Sequence, residues 1–150
     1  MRALVQRVSR CAVSTAQGEH SAIGTGMLVF LGVGKEDTQE DARTLAQRCA
    51  ALRCFQDSGG KMNLSVREVS GEVMVVSQFT LYADTRKGNR PGYTDAADPV
   101  KAEELYHAFV TALRTAIAPL KVATGFFRAE MSVELVNEGP VTLLLESKKS

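Results

Sequence analysis

The chain has 150 residues, 45% of them hydrophobic and 23% charged, with a formal net charge of +1. That is the make-up of one globular domain burying roughly 70% of its unfolded surface. A charge this close to zero excludes a general positive field, so any nucleic-acid partner has to be held by a local basic patch. No apolar run approaches the roughly 20 residues that span a bilayer. Gln6 and Arg7 stand where a signal peptide needs an apolar stretch, so the expected address is the cytoplasm, with no membrane partner.

No linker, repeat or low-complexity segment divides the chain, and residues 1–150 read as a single domain. Residues 2–9 and 11–16 alternate in part and suggest two strands separated by Ser9-Arg10. Met27 to Val33 is a continuous apolar run that suits a buried strand. From Asp37 to Cys54 the period becomes helical, with Ala42, Leu45, Ala46, Cys49 and Leu52 on one side and Asp37 or Thr38 as the cap. Asp57-Ser58-Gly59-Gly60 is a turn, and Glu72 to Leu81 reads as a second buried strand. A polar loop from Asp84 to Asp98 follows. Pro99 then opens a second helix whose buried face is Ala102, Leu105, Tyr106, Phe109, Leu113 and Ile117, and Pro119 stops it. Lys121 to Gly125, Ser132 to Val136 and Val141 to Glu146 supply the last strands, the final two joined by Asn137-Glu138-Gly139-Pro140.

Strands outnumber helices without a strict βα alternation. The expected fold is therefore α/β of the mixed kind, a barrel-like β-sheet layer covered by two main helices. Two helices leave sheet surface exposed, and dimerisation is one way to bury it.

Several chemistries lack their parts. His20 lies beside Gly18 in a turn, and His107 falls off the apolar stripe of the second helix, so both are expected in solvent. Without a placed imidazole, Ser-His-Asp and Cys-His hydrolases are disfavoured. The chain has no HExxH, no His-x-His and no cysteine cluster with zinc spacing, so neither a metal nor another cofactor is expected. Cys11, Cys49 and Cys54 form no CxxC pair and read as small core residues. Gly32-Val33-Gly34-Lys35 sits between a strand and a helix like a phosphate loop. Val29 occupies the first glycine position of that motif, however, and Glu36 replaces its Ser or Thr, so a capping turn is the better reading.

Two constellations remain. Ser77-Gln78-Phe79-Thr80-Leu81 ends an apolar run with polar groups, either as a locally satisfied strand end or as a place where the sheet meets a ligand. Asn137-Glu138-Gly139-Pro140-Val141-Thr142 is either a hairpin turn or part of a site.

Taken in order, SQFTL and NxGPVT resemble the paired signature of the D-aminoacyl-tRNA deacylase family. Met1 to Val8, Gly59 to Ser65, Gln78 to Asp84 and Lys87-Gly88-Asn89-Arg90-Pro91 look similar as well, so the likeness extends over nearly the whole chain. The resemblance implies an editing hydrolase that cleaves the ester of D-aminoacyl-tRNA, working as a homodimer with its site near the subunit boundary. It implies a cis Gly139-Pro140 peptide reaching into the partner's pocket as a chirality filter, supported by Arg7 and set within the motif that Asn137 opens. Ser77, Gln78, Phe79 and Thr80 would form the opposite, catalytic wall. Two positions depart from the family pattern: Arg128 stands where glycine is usual, either strained if the backbone there needs a positive φ or serving as an added phosphate contact, and Gly92-Tyr93 replaces a serine and an aromatic residue, with the loss of a hydroxyl from the basic loop.

An aminoacyl ester is already activated, and donors near Phe79 and Thr80 would stabilise its tetrahedral oxyanion. The 2′-hydroxyl of the tRNA is the implied proton carrier. Thr80 as covalent nucleophile is the competing mechanism, and no base is evident for it. Arg86, Lys87 and Arg90 would contact tRNA phosphates, or else belong to an ordinary solvated loop. The rival classes are an esterase for small substrates and a non-catalytic RNA-binding module, although aromatics are only 6% and no RRM or KH signature is present. An achiral substrate, glycyl-tRNA, would pass a filter aimed at L side chains.

Overall fold

A computed structural model of the chain describes residues 1–148. Its eight strands are β1 (Arg2–Ser14), β2 (His20–Ile23), β3 (Gly26–Gly32), β4 (Phe55–Gln56), β5 (Met62–Leu64), β6 (Glu72–Ser77), β7 (Val122–Thr124) and β8 (Ser132–Glu146). Its two α-helices are α1 (Gln39–Ala51) and α2 (Pro99–Ile117). Strand β1 is central. On one edge it pairs antiparallel with β3 and then β2, and on the other it pairs antiparallel with β8 along nearly its full length. Beyond β3 the order continues through β6 and β7, both parallel. Parallel neighbours need long crossovers, and α1 and α2 lie in those two connections. The result is the expected mixed, barrel-like sheet with two helices.

The two strands expected on either side of Ser9-Arg10 are one strand. The polar pair marks a bulge, where pairing steps from Val8–Asn137 to Arg10–Val136 and β1 carries one extra residue. Because side chains alternate, that residue changes which positions face inward. Ala3 and Val5 pack toward the helices, whereas Val8, Cys11 and Val13 join a second apolar cluster with Leu28, Met74 and Val76. Strands β3 and β6 are therefore buried on both faces, which is why they read as continuous apolar runs.

The helices follow their sequence signals closely. Thr38, not Asp37, caps α1: its hydroxyl accepts from the Asp41 N–H while the Asp41 carboxylate accepts from the Thr38 N–H. Asp37 is buried instead and accepts from the Gly34 N–H at 2.6 Å. Leu52 is the C-cap, so α1 stops short of Cys54. The Asp98 carboxylate caps α2 by accepting from the Lys101 N–H. The predicted stripe of α2 from Leu105 to Ile117 is buried and gains Val110, while Ala102 is partly buried.

Three sequence boundaries change. His20 opens the edge strand β2 rather than sitting in a turn, and it is exposed as expected. Strand β6 ends at Ser77, and Phe79–Tyr82 form a 3-10 turn. Residues 132–146 are one strand and not a hairpin, since both halves run antiparallel to β1. Between the pairs Gln6–Thr142 and Val8–Asn137, β8 carries extra residues that bulge outward. The short β4–β5 ribbon around the Asp57 turn was not foreseen. No helix among the described residues is long and apolar enough to cross a membrane.

Candidate active site

The 3-10 turn after β6 is the feature on which the site depends. Gln78 leaves the strand direction while its N–H still donates to Leu31 O at 2.8 Å. The chain then tightens, with Leu81 N–H to Gln78 O and Ala83 N–H to Thr80 O. A turn of this kind leaves its first N–H groups without internal acceptors. Those are the N–H groups of Phe79 and Thr80, and neither finds a partner among the described residues. From the other side, the Arg2 guanidinium donates to Leu81 O at 2.7 Å and lies over the Tyr82 ring.

Ser77, Gln78 and Phe79 line a cavity of about 640 Å³, a volume suited to a nucleoside-sized ligand. Phe79 is 55% exposed and meets Tyr93 edge to face at 5.1 Å. The start of α2 contributes Ala96, Ala97, Pro99 and Ala102. Phe127, Arg128, Ala129, Met131 and Val133 close the remaining side. Of these, the sequence points only to Arg128, as a departure from the family pattern; it does not single out Phe127, Ala129, Met131 or Val133. The aromatic and apolar run Phe126-Phe127-Arg128-Ala129-Glu130-Met131 lies outside every predicted element, and that was the signal available for them.

Thr80 is exposed beside the cavity, and its hydroxyl accepts from the Gln78 side-chain amide. A carboxamide is not a base in either orientation. His20 is exposed, and His107 faces Glu103 at 3.8 Å on α2. No group of three or more His, Cys, Asp or Glu side chains is placed to hold a metal ion among the described residues.

The basic loop adjoins this wall. Asp84 and Gly92 exchange both backbone hydrogen bonds, which pinches off residues 85–91 next to Tyr93. Arg86 folds back on Asp84 with two side-chain bonds at 2.9 Å, and these bonds hold the Asp84 carboxyl down at about 2. Lys87 and Arg90 are exposed and form no ion pair among the described residues.

The second constellation lies elsewhere on the protomer. The Gly139-Pro140 peptide is cis and sits on the outward bulge of β8. Arg7 holds that bulge, its Nε donating to Glu138 O at 2.9 Å and its Nη1 to Cys54 O at 2.8 Å. Asn137 closes the bulge across its base, accepting from the Val141 N–H at 2.7 Å and donating to Val141 O at 3.2 Å. Gly139 has φ +144, and a Cβ there would lie 2.8 Å from Val141 Cγ2, so only glycine fits. None of residues 137–141 lines the cavity. Val133 does, and Gly139 lies six residues further along β8, about 20 Å of extended chain. One protomer therefore keeps the two motifs apart.

The fold is a mixed, barrel-like sheet that opens a nucleoside-sized cavity at a strand end, with the acceptor-free N–H groups of Phe79 and Thr80 beside it. The family described as D-Tyr-tRNA(Tyr) deacylase matches residues 4–146, and the chain belongs to that family. It is 56% identical to the D-aminoacyl-tRNA deacylase of Thermotoga petrophila and 57% identical to that of Anaeromyxobacter dehalogenans, each over 149 residues and 99% of both chains. Among solved structures, the c-Myc DNA Unwinding Element Binding Protein superposes with a TM-score of 0.93 at 41% identity, covering 99% of this chain and all of that one. A structure described as a probable eukaryotic D-amino acid tRNA deacylase shares the fold, with a TM-score of 0.80 at 16% identity over 97% of this chain and 98% of that one.

Proposed function

We propose that this member of the deacylase family hydrolyses the ester of D-aminoacyl-tRNA in the cavity lined by Ser77–Phe79, beside Thr80, and spares L-aminoacyl-tRNA through the Gly139-Pro140 bulge of a second subunit. The observation that carries this reading is the turn at Phe79–Tyr82, which leaves two adjacent backbone N–H groups without acceptors beside a nucleoside-sized cavity. Water attacks the ester carbonyl, and the carbonyl oxygen gathers negative charge opposite the N–H groups of Phe79 and Thr80. Such fixed donors are often the largest single catalytic contribution. The bond to the ribose 3′-oxygen then breaks, and the neighbouring 2′-hydroxyl relays the proton that the departing oxygen needs. This division of labour suits a wall whose hydroxyl, Thr80, contacts an amide and no base.

The separation of the two motifs supports a homodimer. Strand β8 is a 15-residue edge with Val136 and Leu144 exposed at 40% and 53%, and it pairs only with β1 among the described residues. Edges of this length and character call for a partner. A second copy placed on it would carry its anchored bulge to the cavity, where a rigid wall rejects L side chains without having to recognise D ones. Glycyl-tRNA passes the same wall. Lys87 and Arg90 contact tRNA phosphates near the cavity, and the enzyme works in the cytoplasm, where charged tRNA is used.

The test compares release of tyrosine from matched D- and L-tyrosyl-tRNA with EDTA present, alongside sedimentation at micromolar concentration. Selective hydrolysis of the D ester by a dimer is expected. Equal rates on both enantiomers, loss of activity on chelation, or a fully active monomer would each overturn the corresponding part of the reading.

A further inference from the structure

Arg128 is the only charged side chain that lines the cavity among the described residues. Its backbone has φ +64, a left-handed conformation that residues other than glycine adopt only a few per cent of the time, and Asn, Asp and His more readily than Arg. The side chain is exposed, packs into neither apolar cluster and forms no ion pair among the described residues. The fold therefore gains nothing visible from an arginine here, although glycine would take the same backbone without strain. Residues held in sparsely populated conformations cluster at active sites and ligand clamps, and this one lines the cavity. What enters the cavity is the partner within reach of its side chain.

The end of an aminoacyl-tRNA carries two kinds of charge, an ammonium on the amino acid and a phosphodiester on the 5′ side of the terminal adenosine. A guanidinium repels the first and binds the second, often through two parallel hydrogen bonds. The opposite wall begins at Pro99, the first residue of the 19-residue α2, whose N-terminal end adds a partial positive charge. The nearby carboxylates, Asp98 capping α2 and Glu130 two residues beyond Arg128, do not line the cavity.

We propose that Arg128 binds the phosphodiester 5′ to the terminal adenosine and so fixes the substrate's direction, with the phosphate at Arg128 and the ester at Phe79–Thr80. This rests on the deacylase reading of the cavity and adds a specificity-determining residue to it.

The experiment uses non-hydrolysable 3′-amide analogues of D-tyrosyl-adenosine, with and without a 5′-phosphate, titrated into the full-length protein by calorimetry. Wild type should bind the phosphorylated analogue about tenfold more tightly. In Arg128→Gly the ratio of the two dissociation constants should fall to about one, while Tm rises by a few degrees because the strain is relieved. Arg128→Lys, which keeps the charge but not the fork, should retain part of the preference. A phosphate preference that survives Arg128→Gly, or an equal weakening of both analogues, overturns the proposal. Hydrolysis of D-tyrosyl-tRNA by wild type is measured in parallel. If hydrolysis is present but the two analogues bind equally, the arginine assignment falls and the deacylase reading stands. If hydrolysis is absent, both fall.

Discussion

Replacing Arg7 by alanine removes the two bonds that tie the β8 bulge to the body of the protein. Its Nη1 bond to Cys54 O, at 2.8 Å, is partly buried, and its Nε bond to Glu138 O, at 2.9 Å, is exposed. A hydrogen bond to a charged group contributes about 1.5–3 kcal/mol when protected, and an exposed one about 1 kcal/mol or less. The sum is about 2–4 kcal/mol, which for a chain of this size lowers Tm by about 5–15 °C. Arg7→Lys keeps the charge but cannot span two carbonyls in a planar fork, so it should recover less than half of that stability. The assay is urea unfolding of wild type and both variants, followed by deacylation of D- and L-tyrosyl-tRNA at a temperature where all three are folded. With the bulge unanchored, the ratio of D to L rates should fall. If Arg7→Ala costs less than about 0.5 kcal/mol, the range of an ordinary surface change, and leaves the D/L ratio intact, the bulge is held by Asn137 alone and the reasoning fails.

Thr80→Ala removes a hydroxyl whose partner is the Gln78 amide, and it should slow D-tyrosyl-tRNA hydrolysis by no more than about tenfold, the worth of one hydrogen bond. Ending the substrate in 2′-deoxyadenosine removes the proton relay and should cost wild type about 10²–10⁴-fold. A trapped acyl-threonine would establish Thr80 as the nucleophile instead. The three free cysteines are buried, and desolvation pushes Cys11 up to about 11 and Cys49 up to about 12 and raises Cys54 as well. At pH 8 the Cys11 thiolate is then about one part in a thousand and that of Cys49 scarcer still, so native protein should react with a thiol reagent only as fast as it opens, whereas denatured protein should release three equivalents at once. Rapid labelling of the native fold would contradict the placement of these residues.

The sequence by itself determined what depends on near neighbours along the chain. Thr38 with Asp41 and Asp98 with Lys101 specify helix starts through contacts three residues apart, and the apolar stripe of α2 emerges as read because its period is helical. The continuous apolar runs of β3 and β6 announced strands buried on both faces. Local order also carried the two site motifs, since each is a short contiguous segment. Tertiary structure decided everything that rests on residues far apart. Whether Ser9-Arg10 breaks a strand or bulges it depends on pairing with β8, more than a hundred residues away. Asn137 to Val141 has the composition of a hairpin turn, yet it lies on a single strand because both flanks find the same partner, β1. The turn at Phe79, which frees two N–H groups, follows from β6 ending where β3 ends, a boundary invisible in Ser77-Gln78-Phe79-Thr80 itself. The far wall, from Phe127 to Val133, joined the site only because the sheet curls, bringing the start of β8 to the end of β6. Curvature of that kind arises from strand twist accumulated across the whole sheet.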